Sequence, residues 1–304
     1  MPADITFDKN FPLPPNQVDQ VLPGIRRIVC DNPGPFTFTG TVTYIVGTGN
    51  VAIIDPGPAD ERHAAAILDA VRNETVTHIL VTHTHRDHSP GVAALKAATG
   101  ATVYAEGPHR ASRPLFVGEA PRTEAGGDMD FRPDRPLADG EVVTVSGWDL
   151  EVVATPGHTA NHIGFARRGT DVLFSGDHVM AWATSVVAPP DGSMRDYMNS
   201  LFKLRARPET LYLPGHGGVV RDAHAHVEHF IQHREAREAA ILRRLERGRA
   251  DIPALVRGIY IGLDPRLAGA AGMSTLAHLE DLVARGLVKT DGAPSIDGAY
   301  WLEG

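Results

Sequence analysis

A chain of 304 residues is long enough to bury a substantial core and to divide into one large and one smaller domain. With 42% hydrophobic and 22% charged residues, 31 glycines and 23 prolines, it has the make-up of a turn-rich globular protein, and no apolar run reaches the length of a membrane helix. A formal net charge of −8 gives no overall pull toward nucleic acid or an anionic membrane.

The opening "MPADITFDKNFPLPPNQ" has acids and prolines where a secretory signal needs a basic start and an apolar stretch. Cys30 is the only cysteine, so an intrachain disulfide is excluded and a reducing, cytoplasmic setting is expected. Metal ligands must then come from His, Asp and Glu, and 15 histidines are a generous supply.

In chain order, short β-rich runs fall at 41–46, 51–54, 78–81, 102–104, 142–145, 150–153, 163–165, 172–174 and 211–213. Turn chemistry at 47–50 and 146–149 suits hairpins. Helices are expected at 60–71, with Ala64, Ile67, Leu68 and Val71 on one face, and at 89–98, from an N-cap Ser89 and Pro90 to Gly100. A Pro/Gly-rich stretch at 119–140 reads as a long surface loop. This alternation predicts sheets with helices packed outside them.

Beyond Asp222 the pattern turns helical. Val227, Phe230, Ile231, Ile241, Leu242 and Leu245 recur at helix spacing, and apolar segments follow at 252–261, 274–285 and 287–288. The closing "DGAPSIDGAYWLEG" reads as a short hairpin. The expected division is therefore 1–222 and 223–304, the second part being winged-helix-like.

The chemistry concentrates in "VTHTHRDHSPG". His83 and His85 are two apart, so an extended backbone points both the same way, and Asp87 and His88 follow as the chain turns. Neutral imidazole with carboxylate suits zinc, and also iron or manganese. Single ligand-type residues recur after later strand-like runs: His158 in "TPGHT", Asp177 in "SGDH" and His216 in "LPGHG". Gly or Pro frames each, letting the backbone turn sharply and aim the side chain.

The set "THTHRDH … TPGHT … SGD … PGHG" resembles the metallo-β-lactamase-fold hydrolase superfamily over roughly the first 220 residues. "THTHRDHSPG", "SGDHV" and "DYMNSLFKL" before "LYLPGHG", with a helical tail, are similar to the branch containing β-lactamase-like protein 2; glyoxalase II, sharing "TPGHT", is more distant. The resemblance implies an αββα sandwich with a two-metal site at one sheet edge, most readily zinc. It implies that His83, His85 and His158 hold one ion, that Asp87, His88 and His216 hold the other, and that Asp177 bridges them. Asp55 in "IIDPG" would support the ligand loop without being a ligand. Two divalent ions lower the pKa of a shared water, giving a nucleophile at neutral pH. Asp87 and Asp177 would orient that nucleophile or carry its proton, and hydrolysis is the expected reaction.

Other residues carry two readings. His162 either donates to substrate, as a catalytic group, or packs at a strand start. His178 is expected to be structural. His224, His226, His229 and His233 on one helix read as a solvated face. Trp182, Met194, Tyr197 and Met198 either line a cleft or pack a core. The tail segment "STLAHLEDLVARG" carries Glu280 and Asp281, which would repel phosphates, so the tail suits a cleft wall or a dimer contact better than a nucleic-acid reader. The leading expectation is a hydrolase of a small ester, thioester or lactone. An endoribonuclease acting on single-stranded RNA, which the resemblance also implies, is the alternative. A nucleic-acid-binding regulator with a structural metal site is the third reading.

Overall fold

Near-continuous apolar, β-branched runs such as 42–46 and 51–54 give strands buried on both faces. The computed structural model describes residues 7–116, 119 and 126–303. One sheet has seven strands in sequential order: β1 (Asp19–Leu22), β2 (Ile25–Val29), β3 (Val42–Thr48), β4 (Asn50–Ile54), β5 (Thr75–Leu80), β6 (Thr102–Ala105) and β7 (Arg135–Pro136). The other has five, running from β12 (Leu211–Pro214) through β11 (Val172–Gly176), β10 (Ile163–Arg167) and β9 (Trp148–Ala154) to β8 (Val142–Val145). Val42, Tyr44, Val46, Ala52 and Ile54 of the first sheet meet Val152, Ile163, Phe165 and Phe174 of the second in one core. The alternate residues Ile45, Val51 and Ile53 face outward. They are covered by α1 (Glu61–Ala70) and α2 (Val92–Thr99). On the far side, Leu173 and Tyr212 pack beneath α3 (Met194–Arg205) and the start of α4 (Ala223–Leu245). The layers are αββα, as the resemblance implies. Phe165 is wholly buried between the sheets, so its truncation to Ala would cost about 3–5 kcal/mol.

Helix α4 serves two cores. Val227, Phe230 and Ile231 pack on the five-stranded sheet, whereas Ile241 and Leu245 join a separate cluster with α5 (Ile252–Ile259) and α6 (Ala268–Ala284). A three-stranded sheet of β13 (Ala250–Asp251), β15 (Ala299–Trp301) and β14 (Lys289–Thr290) completes this unit. It is the helical, winged-helix tail, hairpin included.

Three local expectations shift. Helix α2 begins at Val92, and Ser89 spends its hydroxyl on Asp128, 2.7 Å away, instead of capping. Helix α6 starts six residues early, through "AGAAGM", because burial of Gly272 beside Ile252 and Ile296 of the tail core, and of Ala271 at the cavity wall, outweighs the poor helix propensity of glycine. The described part of 119–140 is not a loose loop: Phe131 and Leu137 are buried and Gly127 bridges His85, while 120–125 lie outside the described residues.

Candidate metal centre

Five loops leave the same edge of the sandwich. β4 delivers Asp55, β5 the 83–88 segment, β9 the turn to His158, β11 Asp177 and β12 His216. β4 and β5 are parallel, as are β11 and β12, and β9 points the same way as β11 because both flank β10 antiparallel. Cross-sheet bonds pin the edge: Val42 N–H donates to Gly215 C=O (2.8 Å), and Ile163 N–H to Thr82 C=O (2.8 Å). Two motif glycines permit the approach. A Cβ on Gly215 would lie 2.5 Å from Asp177 Oδ1, and one on Gly176, at φ +51°, would lie 2.6 Å from His162 Nε2.

All seven expected ligand residues converge. His85 Nδ1 lies 3.1 Å from His83 Nε2 and 2.9 Å from His158 Nε2. His216 Nε2 is 3.3 Å from His88 Nε2 and 3.1 Å from Asp87 Oδ2. Asp177 reaches both groups, at 3.2 Å from His216, 3.5 Å from His88 and 3.7 Å from His158. These donors form three overlapping sets, each within 4.8 Å, that could hold a metal ion.

The outer nitrogen of every ring is held by the protein. His88 Nδ1 faces Asp55 Oδ2 at 3.0 Å, His158 Nδ1 faces Val186 C=O at 2.6 Å and His216 Nδ1 faces Gly40 C=O at 3.2 Å. His83 Nδ1 faces Thr82 Oγ1 at 3.0 Å; that hydroxyl donates its own proton to Asp55, so it accepts from the ring. His85 is reversed, with Nε2 against Asp191 Oδ2 at 3.0 Å and Nδ1 inward. A ring that donates outward turns a lone pair inward, so five imidazoles are set in the ligating tautomer. Asp177 Oδ1 is buried and has no hydrogen-bond partner, an acceptor suited to a cation.

Charge divides the same way. Burial, with His88 and His85 adding to it, holds His83 well below the usual range, and burial with His85 brings His158 down to about 4. Both are neutral and ready to ligate. Burial opposes charge at Asp177, yet His216 and His88 overcome it and hold the carboxyl well below its usual range. Burial likewise opposes charge at His216, but Asp177 and Asp87 raise it to about 9. On its own, this corner is balanced by protons that a divalent cation would displace.

His162 is buried. Its Nε2 accepts from the Asp177 N–H (3.1 Å), and Nδ1 meets Thr155 Oγ1 (2.8 Å), so both nitrogens are engaged away from the cleft. The ring props the Asp177 backbone, and the geometry does not present it to a substrate. His178 is buried against Tyr197. Of the α4 histidines, His224 and His229 are exposed, His226 bonds to Met180 C=O and His233 faces the cleft. Trp182 lines the cleft, whereas Met194 and Tyr197 are core. Asp191 carried no sequence signal: it sits in a loop after two prolines, outside any motif.

The centre opens into a cavity of about 840 Å³. His85, Asp87, His158 and Asp177 form its floor, and Tyr260, Leu263, Leu267 and Met273 of the tail wall it. Glu280 and Asp281 do not face the cavity; they pair with Arg113 and Arg195, tying the tail to the sandwich.

Residues 36–216 match the metallo-β-lactamase superfamily and 252–301 the β-lactamase-associated winged helix domain. The chain belongs to the metallo-β-lactamase superfamily and is a hydrolase. It is 32% identical to a β-lactamase-like protein 2 homolog from Drosophila melanogaster, over 90% of this chain and 92% of that one. An atrochrysone carboxyl ACP thioesterase from Paecilomyces divaricatus is also 32% identical, over 79% of this chain and 69% of that one. Among solved structures, a metallo-β-lactamase family protein from Thermus thermophilus superposes with a TM-score of 0.74 at 25% identity, covering 93% of this chain and all of that one.

Proposed function

We propose that the protein is a two-metal hydrolase, zinc being the best match to its donors, acting on a small ester, thioester or lactone. The observation that carries this reading is the set of five imidazoles whose outer nitrogens are all engaged while their inner ones converge with Asp87 and Asp177. His83, His85 and His158 would hold one ion, and Asp87, His88 and His216 the other, with Asp177 between them. Bound there, the metals supply an acidified water and positive charge for the developing oxyanion.

The chain's own residues do the rest. Asp55 and Asp191 fix the tautomers of His88 and His85. His162 fixes the Asp177 backbone, and we assign it a positioning role. Asp87, partly exposed at the cavity floor, is the carboxylate placed to take a proton and pass it to a leaving group. The cavity is of small-molecule size, and the tail from 223 onward closes one wall of it. The thioesterase among the relatives supports an acyl substrate.

The test is a panel of thioester, lactone, ester, phosphodiester and single-stranded RNA substrates, with and without chelator. Chelator-sensitive acyl hydrolysis is expected. Turnover confined to RNA, or turnover indifferent to chelator, would overturn the reading.

A further inference from the structure

Helix α4 gives the cavity two guanidinium groups, Arg234 and Arg237. Arg234 is only 3% exposed; it donates to Ser185 C=O and lies over the Tyr197 ring at 5.0 Å from its centroid. Arg237 donates to Ile259 C=O at 3.1 Å and lies over Tyr260 at 4.5 Å. The Nε of each is buried with no hydrogen-bond partner, and among the described residues neither arginine has a carboxylate within 4.0 Å. The carboxylates of the same cavity, Asp87, Asp177 and Asp191, belong to the metal-centre end and pair with neither arginine. His233 lines the same cavity with Nδ1 unpartnered, and nearby His278 is buried with neither ring nitrogen bonded. Burial and the adjacent arginines push both rings down, so they stay neutral and the guanidiniums remain the charge.

A buried guanidinium normally has a carboxylate or a full set of acceptors, because an unpaired charge is costly to take out of water. Here one buried and one partly buried guanidinium are held by carbonyls and ring faces, each with a buried Nε left over, on the wall of a cavity whose floor is the candidate metal centre. Around them the lining is apolar: Met180, Trp182, Val186, Leu263 and Leu267. Arginine forks suit carboxylate and phosphate oxygens.

We propose that Arg234 and Arg237 form an anion subsite, and that the substrate is an acyl compound with an apolar body and a terminal carboxylate or phosphate held by these two side chains. The identity of the reacting end rests on the hydrolase reading above; the anion subsite itself does not.

Two measurements on the full-length, metal-loaded protein separate these claims. In the first, thioesters of one chain length end in methyl, carboxylate or phosphate. The charged ones are expected to have kcat/KM at least about tenfold above the methyl one, and whichever anion is preferred names the head group. That preference should collapse to near unity in Arg237→Ala and Arg237→Gln, and largely survive in Arg237→Lys. In the second, the matching non-hydrolysable amides are titrated by calorimetry, with folding of each variant checked by thermal melt. Tighter binding of charged amides that Arg237→Gln abolishes would support the subsite even if no thioester were turned over, in which case only the hydrolase reading falls. Equal affinity for charged and neutral amides in the wild type, or a preference untouched by both neutral variants, would overturn it.

Discussion

Asp55 offers the sharpest perturbation, because one buried carboxylate serves three donors. Its oxygens accept from Thr82 N–H (2.7 Å), Thr82 Oγ1–H (2.7 Å) and His88 Nδ1–H (3.0 Å). The residue sits at φ +50°, a conformation that asparagine tolerates, so Asp55→Asn changes the hydrogen bonding with little backbone cost. The new amide has two settings. With its NH₂ toward Thr82 N–H, two buried donors face each other, each unsatisfied at about 1–3 kcal/mol. With its NH₂ toward Thr82 Oγ1 and His88 Nδ1, the hydroxyl accepts but loses the acceptor of its own proton, and His88 relieves its conflict by moving its proton to Nε2, so one buried donor is orphaned instead of two. The second setting is cheaper, and it blocks the inward lone pair of His88. Metal affinity at the Asp87–His88–His216 corner should fall about 10–100-fold, the range seen when supporting partners of ligands are changed. Competition against a chromophoric chelator, with metal content by mass spectrometry, reads this directly. Affinity within about threefold of wild type would refute the tautomer argument.

Asp177→Asn should lower turnover of any accepted substrate on the order of a thousandfold, since its carboxylate reaches both donor groups; steady-state kinetics on the metal-saturated variant checks it. Asp191→Ala should cost about tenfold in metal affinity, less than Asp55→Asn can, because Asp191 is partly exposed and water can replace it as acceptor for His85. His63 is wholly buried, and burial pushes its pKa down to about 4, against the opposing pull of Asp60. The folded state therefore binds fewer protons than the unfolded state between these values. Its contribution is full above pH ~6.5 and is lost as pH falls toward 4, at about 1.4 kcal/mol per unit and roughly 3 kcal/mol in all. Urea melts across this window should show a shallower decline for His63→Gln, and an unchanged slope would contradict the assignment.

The candidate ligand set was legible because four members crowd one short segment after a strand and the other three, His158, Asp177 and His216, each follow a strand-like run beside a glycine, a local pattern needing no knowledge of partners. Strand positions were legible from short β-rich runs separated by turn chemistry, as at 41–46 and 51–54 around the turn at 47–50. What local pattern could not show was partnership across the chain. Asp191 supports His85 from 106 residues away, in a loop without a motif. Helix α4 reads as one amphipathic run, and nothing in its spacing tells that Phe230 and Ile241 enter different cores. Glu280 and Asp281 look repulsive to phosphate in sequence, but their charge is taken up by Arg113 and Arg195. His162 had two readings, and only the Asp177 N–H within 3.1 Å separates them. The acids of the tail and the arginines of α4 show one rule: a charge acquires meaning from what is buried beside it.

The most direct test is anomalous scattering at the zinc edge from crystals of zinc-loaded protein. Two peaks are predicted, one among His83, His85 and His158 and one among Asp87, His88 and His216, with Asp177 reaching both. A single peak elsewhere, or no ordered metal at the sheet edge, would contradict the account.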